Sequence, residues 1–322
     1  MARKSRPIRV GLVNCDNRAY WYGAIFEDID PEAFCAFDNA KYHHFTFYSS
    51  PELRNRKAEG FQLVKVYDEN PAAAERFRQA MGARPVVCSN LENVSDAVDL
   101  VFICNASGAG TNNLSLARPG LKKGVPTFID RPFAETTKDG RAMINLARSN
   151  RAPLLSCSHV TMLPQAALFK HRFPEIGLVR RGTVIGHGPE PGAVADSLAL
   201  ALTVFGSDVK AVESMGAWPM ELLHLKYDDE KTKHGWDVLV TNTAFQADRS
   251  ALFAFANGVG EIHFDQANDF YFPEGGWAVM EALKGMVRSR KPPVPYGEML
   301  QAVAVAEKAR RVHNTGRWAN LS

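Results

Sequence analysis

Up to residue 157 the chain alternates short apolar runs with segments of helical period, and this alternation constrains its fold more than any other feature. A β-rich run followed by a helix brings the chain back to start the next strand in the same direction. Repeated units therefore build a parallel sheet covered by helices. The runs are Ile8 to Val13 (IRVGLV), Gln62 to Tyr67 (QLVKVY), Val86-Val87-Cys88, Asp99 to Cys104 (DLVFIC), Pro126 to Ile129 and Pro153 to Cys157. Between the second and third, Asn70-Pro71 supplies an N-cap and a proline at the first helical position. Ala73, Ala74, Phe77, Ala80 and Met81 mark that helix's buried face, and Gly82 ends it. Further helices read at 112–123, closed by Gly124, and at 136–150. The expectation is an α/β, Rossmann-like, doubly wound parallel sheet over residues 1–152. One segment, 27–60, exceeds what a strand–helix–strand connection needs; with Pro31, Pro51 and His43-His44 it reads as functional or as an interaction surface.

Beyond residue 157 the pattern changes. A helix at 163–172 precedes a strand Gly182 to His187 and a helix Ala193 to Phe205. Long β-rich runs follow at 208–217, 236–245, 250–257 and 259–265, then helices at 276–289 and 297–314. Strands in succession imply a large open, mainly antiparallel sheet, so residues 153–322 are expected to form an α+β domain, with helix 297–314 returning to the first domain. An open sheet exposes an apolar face, here from Val238 to Phe245 and Ala251 to Ala256, and predicts a homodimer or homotetramer.

Thirty-eight Lys+Arg against thirty-five Asp+Glu give a net charge of +3, no excess that would gather nucleic acid or an anionic membrane. The longest apolar stretch, Ser197 to Gly206, is half the roughly 20 residues that span a bilayer. MARKSRPIRV contains no apolar core of a secretory signal. The five cysteines, at 15, 35, 88, 104 and 157, show no metal-ligand spacing and suit a reducing cytoplasm. Neither do His224, His234 and His263, so no metal is expected.

Taken together, IRVGLV, DLVFICNAS, GLKKGVPTFIDRPFA, LLSCSHVTMLP and AVAEKARRVHNTGRWANL resemble the glucose–fructose oxidoreductase and inositol dehydrogenase family, Gfo/Idh/MocA, over most of the chain. The resemblance implies a nucleotide-binding domain followed by an open-sheet domain, with a nicotinamide between them. Several motifs depart from the family. Its three glycines after the first strand fall on Asn14, Asp16 and Ala19. Asn14 tolerates a left-handed turn and Ala19 is a known variant. The Asp16 carboxylate would repel a pyrophosphate unless it points away or caps the following helix. Asp68, directly after QLVKVY, stands where NAD-binding proteins place the acid that accepts hydrogen bonds from the ribose hydroxyls, which implies NAD rather than NADP. The resemblance adds Asn105, Arg131 and Pro132 to the cofactor set.

The family's Glu-Lys-Pro reads Asp130-Arg131-Pro132 here, so its lysine becomes Arg131, which keeps a positive charge but donates no proton near neutral pH. Its histidine falls on Asp196, the one ionisable group between Ala193 and Phe205: either an acid favoured by the helix dipole or a catalytic carboxylate. His159 and His187 are further candidates for proton transfer. Tyr20, Trp21 and Tyr22 read equally as cleft floor or as core. The resemblance implies an NAD-linked oxidoreductase acting on a polyol, sugar or related hydroxy compound, a small-molecule substrate. The simultaneous change of the glycines, the lysine and the histidine implies the alternative of a ligand-binding, regulatory or partner-subunit protein on the same fold. A lyase or hydrolase with tightly held NAD is a third possibility.

Overall fold

The computed structural model describes residues 6–37, 57–105, 110–187, 192–217, 220–228, 236–243, 251–268 and 272–321. Most of the 27–60 segment, including His43, His44 and Pro51, lies outside them. The chain divides into two units: Met1–Ala134 with Lys138–Ser156 and Gly276–Pro295, and Cys157–Gly275 with Glu135–Thr137 and Tyr296–Ser322.

In the first unit, β1 (Ile8–Val13), α1 (Asn17–Phe26), α2 (Pro31–Cys35), β2 (Phe61–Tyr67), α3 (Pro71–Ala80), β3 (Val86–Val87), α4 (Leu91–Val94), β4 (Leu100–Ile103), α5 (Asn113–Lys122), β5 (Thr127–Asp130) and α6 (Thr137–Ser149) follow in order. With β6 (Leu154–Cys157) the strands form one six-stranded sheet in the order β3-β2-β1-β4-β5-β6. Both neighbours of β1 run parallel to it, Val10 lying opposite Leu63 and Leu100. The order reverses direction between β1 and β4, and ligands of doubly wound sheets bind outside the strand ends at such a point. The capping read from sequence is present: Asn70 accepts from the Ala72 N–H at 3.0 Å, and Gly82 and Gly124 take φ of 68° and 72° beyond their helices.

Helix α1 is buried from Arg18 to Phe26. Tyr20 stacks on Phe37 at 4.3 Å and meets Phe77 edge-on at 5.1 Å, while Tyr22 packs on Phe102 and Phe128 at 4.9 and 5.9 Å. These tyrosines are core, which closes the alternative left open above. Aromatic pairs of this kind add about 0.5–1.5 kcal/mol each to area burial and hold the helix at one height over the sheet.

The second unit contains α7 (Pro164–His171), β7 (Arg181–His187), α8 (Gly192–Phe205), β8 (Val209–Ala217), β9 (Met220–Tyr227), β10 (Trp236–Thr243), β11 (Ala251–Asn257), β12 (Glu261–Asn268), the start of α9 (Phe272–Ser289, whose residues 276–289 belong to the first unit), α10 (Tyr296–Val312) and β13 (Ala319–Asn320). Its seven strands lie in the order β12-β11-β7-β10-β9-β8-β13, antiparallel except for the parallel pair β7–β10. Two glycines of β7 let α8 approach closely. A Cβ at Gly182 would stand 2.5 Å from the Phe205 ring, and one at Gly186 would stand 1.9 Å from Ser197 Oγ. Val184, Val238, Val240, Leu252 and Ala254 are buried with Leu198, Ala201 and Phe205 in the core of this unit.

Three findings differ from the sequence reading. Strand β9 was not expected, because Met, Glu, Leu and Lys in MELLHLKY favour helix; pairing with β8 on one side and β10 on the other overrides that preference. Residues 276–295 cluster with the first unit rather than the second. There Val279, Met280, Leu283 and Met286 are buried, and Arg290 donates to the carbonyls of Gly124 and Arg151 at 2.8 and 2.7 Å. Helix α10, expected against the first domain, packs on β8 within the second unit, and of the residues read as the first domain it meets the 135–137 segment, where Glu307 accepts from the Thr137 N–H.

Candidate functional site

The turn after β1 carries the first group of polar residues. Asn14 adopts φ 64°, the left-handed conformation a glycine would take there, and donates its N–H to the Tyr67 carbonyl at 2.8 Å. Asp16 is the N-cap of α1: its Oδ1 accepts from the N–H groups of Arg18 and Ala19 at 2.9 and 3.2 Å. The cap expected of its carboxylate is present, but it keeps the negative charge on the N–H groups of the first turn of α1 rather than turning it away from them. Asp68 reaches back from the end of β2, its Oδ2 accepting from the Cys15 N–H at 2.7 Å and its Oδ1 from the Asn70 N–H at 2.8 Å. Ala19 is fully buried, so its methyl group fits where the fingerprint usually has glycine.

Burial pushes the Cys15 thiol well above its ordinary range, and Asp68 and Asp16 push it further. Cys104 is raised in the same way, by burial first and then by Asp16 and Asp130. Both therefore remain neutral thiols and packing groups rather than nucleophiles.

At the ends of β4 and β5 an amide chain joins two segments. Asn105 Nδ2 donates to Asn113 Oδ1 at 2.8 Å, and Asn113 Nδ2 donates to the carbonyls of Pro132 and Phe133 at 2.9 and 3.2 Å. The Arg131–Pro132 peptide is cis. Asp130, with no exposed surface, lies between two buried guanidinium groups: Arg131 Nη1 at 3.5 Å and Arg18 Nε at 3.8 Å. Arg18 also covers the face of Trp21, at 4.8 Å from the ring centroid. Sequence reasoning missed Arg18. Its signal is a cation in the first turn of an otherwise apolar helix, where the dipole disfavours it, so a buried anion had to be near.

In the second unit, Asp196 lies in α8 and is 2% exposed. Ser158, buried directly after β6, donates from Oγ to Asp196 Oδ1 at 2.5 Å. The same oxygen accepts from the Val160 N–H at 3.2 Å and caps a 3-10 turn, His159–Met162. His159 is buried with its ring 4.8 Å from that of Phe272. His187 ends β7 with its backbone opposite Thr243 and Ala251; its side chain lies outside the described residues. Sequence reasoning missed Ser158, whose signal was a serine leaving an apolar strand at the carboxyl edge of the sheet. Among the described residues no group of three His, Cys, Asp or Glu could hold a metal ion. His224 and His263 each face one acid, Asp237 at 3.3 Å and Glu261 at 2.9 Å.

A doubly wound parallel sheet followed by an open mixed sheet, with polar side chains gathered at the carboxyl ends of β1, β2, β4 and β5, defines a two-unit protein of the Rossmann-like α/β class. Residues 41–157 match the model of an oxidoreductase family with an NAD-binding Rossmann fold, Gfo/Idh/MocA. Over those residues the chain is similar to the Gfo/Idh/MocA oxidoreductase family. The match begins beyond β1 and its turn and so does not cover Asn14, Asp16 and Ala19. Over 127 residues the chain is 30% identical to scyllo-inositol 2-dehydrogenase (NADP(+)) of Bacillus subtilis (strain 168); the alignment spans 39% of this chain and 38% of that protein. Two solved structures share the fold along nearly the whole chain. Myo-inositol 2-dehydrogenase from Lactobacillus plantarum matches with a TM-score of 0.74 at 12% identity, covering 98% of this chain and 100% of its own. An oxidoreductase from Agrobacterium radiobacter, solved with NAD+, L-tartaric acid and magnesium, matches with a TM-score of 0.72 at 13% identity, covering 97% and 98%.

The residues present fit the nucleoside end of a dinucleotide. Asn14 takes the required left-handed turn, Ala19 is accommodated, and each Asp68 oxygen has a second lone pair for a ribose hydroxyl. At the pyrophosphate position the fit depends on the Asp16 carboxylate, which already accepts from the first turn of α1.

Proposed function

We propose that this protein is an NAD(P)-linked oxidoreductase acting on a polyol, sugar or related hydroxy compound. The observation that carries this reading is Asp68 at the end of β2, bonded to the turn at the strand-order switch in which Asn14 is left-handed. When bound, the nicotinamide accepts or returns a hydride; the chain's part is to bind, orient and move a proton. Asp196 is the group for the substrate hydroxyl proton, with Ser158 holding its Oδ1. Arg131, steadied by Asp130, supplies a fixed positive charge to a hydroxyl or an alkoxide, without giving up a proton itself. His159 and His187 stand as alternative proton carriers. Asn105 and Pro132, joined through Asn113, are the residues this reading assigns to the nicotinamide.

NAD is preferred to NADP in this reading, because the Asp68 carboxylate would repel a 2′-phosphate. The Bacillus subtilis relative is named for NADP, so the preference is a property of this chain's own residue. The test is an NADH and NADPH fluorescence titration, followed by turnover assays over inositols and sugars. Saturable binding with oxidation of at least one polyol is expected. No turnover of any polyol or sugar with either nucleotide would sink the reading in favour of a non-redox ligand-binding, regulatory or partner-subunit role, to which Asp16 lends support.

A homodimer or homotetramer in a reducing cytoplasm completes the proposal. No helix among the described residues is long and apolar enough to cross a membrane. On the sheet face away from α8, Leu222, Thr241, Ile185 and Phe253 form one partly exposed row across four strands. Leu239, Thr183 and Phe255 form the next. Light scattering after size exclusion should report two or four chains, and a monomer counts against a subunit interface on this face.

A further inference from the structure

Three backbone N–H groups of the turn after β1 are already held by carboxylates of the chain itself. Asp68 accepts from Cys15, and Asp16 accepts from Arg18 and Ala19. A pyrophosphate binds such a turn through the same kind of donor and through the positive end of the helix that follows. Asp68 comes from β2 and leaves the first turn of α1 open. Asp16 does not: it places a full negative charge on the donors that a phosphate would use.

Helix α1 cannot withdraw to relieve the conflict. Every residue from Arg18 to Phe26 is buried, Tyr20 and Tyr22 are fixed in aromatic clusters, and Arg18 is held between Trp21 and Asp130. Asp16 itself is only partly buried. Relief must therefore come from its side chain, by rotation toward solvent. The geometry points to Asp16 as a built-in competitor of the cofactor: a dinucleotide binds by displacing the Asp16 carboxylate from the N–H groups of Arg18 and Ala19. Nucleotide affinity is thereby set low, and the nucleotide is exchanged in each cycle rather than retained through purification. This rests on the dehydrogenase reading above and specifies how its cofactor is handled.

The experiment is NADH binding, by fluorescence titration, to the wild-type chain, Asp16→Gly and Asp16→Asn, with thermal unfolding of each. Glycine at an N-cap costs only a few tenths of a kcal/mol relative to aspartate, and asparagine caps as well as aspartate, so folding is retained in at least one variant. Asp16→Gly should bind NADH at least tenfold more tightly, a change of about 1.4 kcal/mol. Asp16→Asn, which keeps the cap and removes the charge alone, should show a smaller gain in the same direction. Equal or weaker binding by both variants overturns the inference and leaves the dehydrogenase reading standing. Nucleotide co-purifying with the wild-type chain has the same consequence. If none of the three proteins binds NADH or NADPH at millimolar concentration, both the inference and the dehydrogenase reading fall.

Discussion

Replacing Ser158 by alanine removes the hydroxyl that donates to Asp196 Oδ1 at 2.5 Å, at a place where both residues are almost fully buried. A hydrogen bond to a charged group contributes about 1.5–3 kcal/mol, and a buried carboxylate that loses a donor keeps its desolvation penalty. The same change removes the cap on the Val160 N–H, a further contribution of about 1 kcal/mol. The expected destabilisation is about 2–4 kcal/mol, or a fall in Tm of roughly 5–12 °C for a unit of this size. Four proteins separate the terms: wild type, Ser158→Ala, Asp196→Ala and the double variant, compared by denaturant unfolding. In the double variant no charge is left without its donor, so the single losses should fail to add, with a coupling of about 1.5–3 kcal/mol. In turnover assays Ser158→Ala should lower kcat about tenfold with KM nearly unchanged, since the residue acts by holding the proton acceptor rather than by touching substrate. A coupling below about 0.5 kcal/mol, within the error of such cycles, would refute the claim that these two side chains act as a unit.

Other perturbations test separate parts of the structure. Gly186→Ala drives a methyl group to 1.9 Å from Ser197 Oγ and should destabilise by about 1–3 kcal/mol, with part of the loss recovered by Ser197→Gly in the same chain. Asp68→Ala should weaken NADH more than NADPH in the fluorescence titration, whereas Arg131→Ala should lower turnover while leaving nucleotide affinity nearly unchanged; the opposite pattern would exchange their roles. Glu307 accepts from the Thr137 N–H at 2.8 Å, and that bond, followed by the Thr137 hydroxyl, Arg311 and Arg310, holds its carboxyl below the ordinary 4.5. Its stabilising contribution is therefore fully present above that value and is lost as pH falls through the lower folded value. Glu307→Gln should be less stable than wild type at neutral pH, with the difference in Tm closing in acid.

The sequence by itself determined the order and type of most elements. Strand runs, the Asn70 cap, the stops at Gly82 and Gly124 and the largely apolar character of α8 act within windows of a few residues, so the chain states them locally. It also set which chemical groups stand at the carboxyl edge of the first sheet, because Asn14, Asp68, Asn105 and Asp130 lie at or within two residues of strand ends. Strand β9 was not legible, since its helix-favouring residues are overruled by two neighbours that only the assembled sheet provides. Tertiary structure alone decided how the charges are used. It set Asp130 against Arg18 and joined Ser158 to Asp196. Spacing along the chain carries no trace of those pairings, because they depend on the height and rotation at which packed helices meet strands. That is set by buried rings such as Tyr20 and Tyr22 under α1 and by the small residues of β7 under α8.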